Sequence, residues 1–523
     1  MQGSASLAHI TIAATPQGEV GDITLFASHA GIGDQLTITG TGFGSQREAS
    51  KVWFGELPQY TFSDDVVARP CTKEAASYVS WSDTQIVVTV PSMSPGLSGA
   101  TGTYHPVYVE VGGTQTNPAA FYIDPVTVID GSNTGAVATV FPNSAATVEQ
   151  VTYNNSSGSQ HSSYVTQLTL DATEGAYPQA GNYFASNSHD ILIKDVAFVT
   201  TTTELAPSDA GVLTFGQIGA PGGLWPATSQ YNITFHNCVI VNNMENNTGW
   251  SGSNGIKCYH GSADSGTFGN MVWSDCSIGT PDSPTGAFSR FSVELVENNA
   301  GFASYTDNYL HNIRFTGCDF EPMTLLPLSF ACGGRGPDRG YLIDDCTIKG
   351  GGGFEIHLYG LVARDVEIWE PRDDAFRLEG DSSEFGGVTY IGPQSRLLFK
   401  RVNVDVTHHY SSRTLNYDSY LIGGDNFGGI VFDDCDFNMG DETRCFGSAA
   451  RHNDHFDRCD NFDFSTSYIH GTTSTGDQPK TTGVGYWYPL SWDGPGDPAT
   501  LYSGTNDRDV SYNMQWPQLG TRP

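Results

Sequence analysis

The stretch "PRDDAFRLEGD" (residues 371–381) is the densest acid cluster in the chain. Asp373 and Asp374 stand side by side, and Glu379 follows shortly after Arg377. Paired carboxylates can divide labour between a proton donor and a base or nucleophile. Just upstream, "GFEIHLYG" (353–360) offers Glu355, His357 and Tyr359 at alternate positions. Histidine titrates near neutral pH and serves as acid or base there. "GIKCYHG" (255–261) adds Lys257 and Tyr259, and "FSVELVE" (291–297) adds Glu294. A Gly/Pro loop, "GGRGPDRG" (333–340), carries Arg335 and Arg339. Acids, a histidine and aromatics in one region suit proton transfer on a polyhydroxylated substrate, with the remaining polar groups binding it. A plainer role is open to each residue, because outward strand positions must be polar and Asp373 and Asp374 suit a turn.

The elements holding these residues read as short strands. Alternation puts Ile256, Cys258, Val293, Leu295, Phe354, Ile356, Phe376 and Leu378 inward. Lys257, Tyr259, Glu294, Glu355, His357, Tyr359, Arg377 and Glu379 then face outward. A second phrase recurs between them: "DILIKDVAF" (190–198), "NITFHNCVI" (232–240), "NMVWSDCSI" (270–278), "NIRFTGCDF" (312–320), "YLIDDCTI" (341–348), "GLVARDVEI" (360–368), "RLLFKRVNV" (396–404) and "GIVFDDCDF" (429–437). Its centres lie at Val196, Cys238, Cys276, Cys318, Cys346, Val366, Val402 and Cys435, at intervals from 20 to 42 residues. A constant phrase at varying intervals marks a solenoid whose coils carry loops of different length. The pattern resembles the right-handed parallel β-helices of the pectate-lyase-like superfamily, with about ten coils expected over residues 126–478. Stacked coils would set Glu355 beside Arg377 and His357 beside Glu379. The central cysteines become an internal ladder of small hydrophobes. In "GIVFDDCDF", Asp434 falls where other phrases carry Asn237, Asp275, Gly317, Asp345 and Asp365, types that tolerate a left-handed bend.

Residues 1–125 read differently. "GDQLTITGTGFG", "KVWFGE", "VSWSDTQIVVTVP" and "HPVYVEVGGTQTNPAAFYI" are short alternating strands that suit an antiparallel sandwich. In order and content they resemble the IPT/TIG family of immunoglobulin-like domains, interrupted by the insertion "LPQYTFSDDVVARPCTKEAASY". The resemblance implies a spacer or binding module and no chemistry. The segment 479–523, rich in Trp, Tyr, Pro and Gly, lacks the repeat and is expected to pack on the helix or cap it. The expected fold is therefore all-β.

Composition bounds the function. The net charge of −33, from 24 basic and 57 acidic residues, disfavours nucleic acid and anionic membranes as partners. No apolar run reaches 18 residues, so no membrane-inserted span is expected. The first residues lack the pattern of a signal peptide. A polysaccharide or oligosaccharide is the expected partner, met outside the cell or as part of a virion. Oligomeric state divides the readings, a monomer fitting a secreted enzyme and a homotrimer fitting a spike.

Within a β-helix, "DDAF" (373–376) resembles the paired-Asp segment of polygalacturonase-like hydrolases, although their Gly-His-Gly and Arg-x-Lys signatures are absent. "RGPDR" (335–339) is one residue short of the Arg-x-Pro-x-x-Arg segment of pectate lyases. Three readings stand: a glycoside hydrolase using two of Asp373, Asp374, Glu379 and Glu355; a spike or adhesin that binds glycan; and a polysaccharide lyase. No cofactor is expected, with Ca²⁺ through loop aspartates the one open option.

Overall fold

The computed structural model describes residues 8–11, 28–55, 72–91 and 101–141, and from 144 to 488 the strand segments and tight corners of a solenoid. Two sheets make the N-terminal sandwich. One is ordered Ala8–Thr11, Gln35–Thr39, Gln85–Thr89, Ser77–Trp81. The other runs Ser28–Ala30, Ala119–Ile123, Thr103–Val111, Lys51–Gly55, Thr72–Glu74. Leu36, Ile38, Ile86 and Val88 of the first pack on Val52, Phe54, Val107, Val109 and Phe121 of the second, all buried. Alternation within each strand produces this inner face. Two details were not legible in the sequence. Ala8–Thr11 and Ser28–Ala30 pair parallel to their neighbours, which makes the sandwich mixed. Thr72–Glu74, inside the apparent insertion, pairs with Lys51–Gly55.

From Thr127 onward the chain winds as a parallel β-helix. Its two long sheets hold nineteen and nine strands among the described residues. The recurring phrase proves to be two strand segments that meet at a corner holding one residue with positive φ, and at Asp365 and Arg401 the strand runs on through it. Asp195, Asn237, Asp275, Gly317, Asp345, Asp365, Arg401 and Asp434 occupy that corner, with φ between 49° and 62°. Asp, Asn and Gly accept this conformation most readily, so the corner chemistry was visible in the sequence. Arg401 is the departure. Its guanidinium grips Asp365 of the preceding coil, Nε to Oδ1 at 2.5 Å and Nη2 to Oδ2 at 2.7 Å. The corner amides of Asp195, Asn237, Asp275, Gly317 and Asp345 also reach the next coil: the N–H of Asn237 donates to Ser274 O at 2.9 Å, and that of Asp275 to Thr316 O at 2.9 Å.

A second left-handed position opens the phrase. Asp190, Asn232 and Asn270 sit there with φ of 57°, 56° and 51°. The amide Nδ2 of Asn232 donates to Asp190 Oδ1 at 2.9 Å, and that of Asn270 to Asn232 Oδ1 at 3.2 Å. Asn232 and Asn270 are buried, and this ladder satisfies their side chains.

The solenoid core is stacked rung on rung. Phe235, Trp273 and Phe315 are register partners with nearly parallel rings, their centroids 5.0 and 4.7 Å apart. Cys238, Cys276, Cys318 and Cys346 stack beside them as buried free thiols, and Cys435 continues the same column after Val366 and Val402. The Cys318 amide donates to Cys346 Sγ at 3.4 Å. At the start of the solenoid a short helix, Val137–Val140, buries Val137 and Val140 in the solenoid core. Phe141 after it packs on Phe184 and Phe198 at 4.5 and 5.5 Å. The first rung would otherwise expose its apolar interior.

The sandwich is fastened to the helix. Thr127–Ile129 pairs parallel with Ile191–Ile193. Thr101 Oγ1 donates to Asn232 O at 3.2 Å, and Thr234 Oγ1 donates to Thr101 O at 2.5 Å. Gly102, at φ 75°, lies so close to Leu192 that a Cβ there would meet Leu192 Cβ at 2.8 Å.

Candidate functional site

The third strand of each coil builds the nine-stranded sheet, and its register sets the candidate site. Leu213, Ile256, Val293, Phe354 and Phe376 are buried and fall in one column. The adjacent column, one residue along each strand, reads Thr214, Lys257, Glu294, Ser329, Glu355, Arg377 and Gly423. Neighbouring strands lie about 4.8 Å apart. The column therefore sets Lys257 beside Glu294, and Glu355 beside Arg377, as register partners on adjacent coils.

Two residues further along, Tyr259 pairs in register with Gly216 on one side and Val296 on the other. At the end of strand Phe376–Glu379, Glu379 is the register partner of Asp425. Asp425, in "GGDNFGG", is a groove candidate of low specificity in the sequence, but spacing did not expose this pairing. A long stretch separates the two residues, and its length does not repeat from coil to coil. Ser329 joins the polar column in the same way, and its small side chain left no signal.

Of the residues singled out in the sequence, Lys257, Tyr259, Glu294, Glu355, Arg377 and Glu379 are thus placed by backbone register on one sheet. Asp373, Asp374, His357, Tyr359 and Arg335 lie outside the described residues. His408 and His409, weaker candidates in "VTHHY", lie outside them too.

Several described ion pairs of the solenoid lie at its corner. Arg364 clasps Asp344 of the preceding coil with both Nε and Nη2 at 2.6 Å, and Arg314 Nη2 approaches the same carboxylate at 3.4 Å. Hydrogen bonding from Arg401 holds the Asp365 carboxyl below its usual range. These pairs tie successive coils together in planar, two-point contacts. On the adjoining face, buried Lys349 pairs with Asp319 at 3.2 Å, its Nζ 5.6 Å from the Trp369 ring centroid. Among the described residues no three His, Cys, Asp or Glu side chains converge as metal ligands would.

Comparison with known proteins identifies the sandwich. Residues 20–123 match the IPT/TIG domain family. Two solved structures are similar at low identity. The A-module of mannuronan C-5 epimerase from Azotobacter vinelandii is 11% identical, with TM-score 0.16, over 58% of this chain and 89% of that one. Tailspike protein 3 of bacteriophage CBA120 is 12% identical, with TM-score 0.20, over 63% of this chain and 56% of that one. No curated protein matches the chain in sequence.

Proposed function

We propose that the protein is a polysaccharide-processing enzyme, a glycoside hydrolase whose substrate lies along the nine-stranded sheet. The observation that carries the reading is the register pairing of Glu379 with Asp425. Their strands are neighbours in the sheet, about 4.8 Å apart, and a retaining mechanism would need the two carboxyl groups about 5 Å apart. In that mechanism one of the two carboxyl groups, protonated, would donate its proton to the leaving oxygen. The other stays ionised and attacks the anomeric carbon, and water later releases the sugar. Lys257, Glu294, Glu355 and Arg377 extend the polar column along the helix axis and would hold successive sugar units. Asp373, Asp374 and His357 remain alternative acids and base for the same step. Tyr259, Tyr359 and Arg335 are proposed substrate contacts. The reaction as written needs no cofactor.

A second reading is a spike or adhesin that binds the same class of partner. It is favoured by the five described cysteines, all buried thiols, which suit folding in a reducing compartment and later display on a virion. A panel of polysaccharides scored for reducing ends and for the absorbance of unsaturated uronates tests both readings. Reducing ends without that absorbance support hydrolysis, and the absorbance itself would point to a lyase. A broad panel left uncut sinks the enzyme reading.

A further inference from the structure

The outer face of the sandwich carries an aromatic strip that runs onto the first coils. Tyr122 is the register partner of both His29 and Tyr104, so the three form one row across three strands. Tyr104 is 58% exposed, and its ring meets that of Tyr122 edge-on at 5.1 Å. His29 Nδ1 lies 2.9 Å from Asp124 Oδ2 and 3.1 Å from Oδ1, with the imidazole 63% and the carboxylate 40% exposed. Two residues past Asp124, the amide of Val126 donates to Asp190 O at 2.9 Å. That bond sets the chain just past Asp124 against the neighbour of His189. His189 stacks on Tyr231 of the next coil at 5.0 Å with 10° between the rings, and its Nδ1 lies 2.7 Å from Asp190 Oδ2.

An outward sheet face is ordinarily covered with charged and hydroxyl side chains. This one presents three tyrosines and two histidines, each histidine beside a carboxylate. Aromatic faces and edges bind the C–H surface of a sugar ring, while carboxylate and imidazole exchange hydrogen bonds with its hydroxyls. The strip contains no lysine or arginine, and the chain bears a net charge of −33. Electrostatics therefore reject phosphate backbones, anionic lipid and polyanionic glycans. We propose that His29, Tyr104, Tyr122, Asp124, His189 and Tyr231 form a neutral-saccharide binding strip spanning the joint of sandwich and helix. It is separate from the nine-stranded sheet and does not depend on that sheet being catalytic. At the joint Thr101 bonds to Asn232 and Thr234, and Gly102 lies against Leu192.

The test is native affinity electrophoresis of the full chain through gels containing dextran, galactomannan, xyloglucan or mixed-linkage β-glucan. At least one gel should retard the protein. The double variant Tyr104→Ala/Tyr122→Ala should weaken that retardation about tenfold, and Tyr104→Phe/Tyr122→Phe, which keeps the rings, should retain most of it. Glu379→Gln, on the other sheet, should leave retardation unchanged while removing any hydrolysis, so the two proposals fail separately. Circular dichroism of each variant guards against misfolding. Retardation by none of the gels, or retardation indifferent to the alanine pair, overturns the strip. A change of sedimentation coefficient in the alanine variant would overturn it too, marking the face as a contact between copies.

Discussion

Glu379 and Asp425 are register partners on adjacent coils, although a stretch of irregular length separates them in sequence. If they are the proton donor and nucleophile, Glu379→Gln and Asp425→Asn should each lower hydrolysis by about a hundred- to ten-thousand-fold. The thermal midpoint should barely move. Equal loss from Asp373→Asn or Asp374→Asn, with Glu379→Gln still active, would transfer the chemistry to the other acids.

Glu355 and Arg377 offer a finer test of the same sheet. As substrate-positioning groups they should act on KM more than on kcat. Arg377→Met is expected to raise KM several-fold with kcat within about twofold. A fall in kcat alone would place Arg377 in the chemical step.

The corner predicts a graded stability series. Gly317 sits at φ 62°, and a Cβ there would meet Asp275 Oδ1 at 2.8 Å. Gly317→Ala should cost about 1–2 kcal/mol, combining left-handed strain with that contact. Asp434→Gly, at an equivalent corner, should cost a few tenths, and Asp434→Val more than either. Denaturant unfolding monitored by fluorescence gives the order.

The bond between Arg401 and Asp365 sets a pH dependence. The hydrogen bond from Arg401 depresses the folded-state pKa of Asp365. A depressed carboxyl contributes stability above its unfolded pKa of about 3.9 and loses it as pH falls toward the folded value. Arg401→Gln should therefore move the acid-unfolding midpoint to higher pH. The shift will be small, because the two side chains are 43% and 41% exposed and solvent screens them. No shift would mean that the pair adds nothing to folding.

The thiol ladder predicts chemical silence. All five thiols are buried, so reagents in solvent do not reach them whatever their protonation: burial pushes Cys276 and Cys346 well up, while at Cys318 burial is outweighed by hydrogen bonds from Cys276 and Cys346, which hold it down to about 5. Mass-spectrometric mapping after alkylation should find Cys238, Cys276, Cys318, Cys346 and Cys435 unmodified until the chain unfolds. Valine fills the same column at Val366 and Val402, so Cys276→Val should cost less than about 1.5 kcal/mol.

These cases show what the sequence could and could not reveal. The core column and the corner were legible because each repeats once per coil and only a few residue types fit. Asp434 read as a corner in sequence and is one, at φ 58°. The partnership of Glu355 with Arg377 followed from alternation, since both strands begin on a buried phenylalanine, Phe354 or Phe376. The pairing of Glu379 with Asp425 did not, because coil-to-coil loops vary and alignment by counting fails. Arg401 at a corner was also unreadable. Arginine rarely adopts that conformation, and its stabilising partner lies one coil back. The ladder of Asp190, Asn232 and Asn270 had a signal, an Asp or Asn opening most phrases, but one-dimensional spacing does not reveal that the residues touch.

The corner amides bond to the neighbouring coil and to nothing further away. At its corner each such turn of the solenoid is therefore answerable to the turn beside it, and among the described residues only the core rings reach across two. Loops between strands can be exchanged, lengthened or lost over evolutionary time without renegotiating the rest of the molecule. Divergence should then accumulate between coils while one Asn, Asp or Gly per turn persists. Proteins built on this scaffold can drift until little overall resemblance survives, yet still share a spine of single left-handed residues.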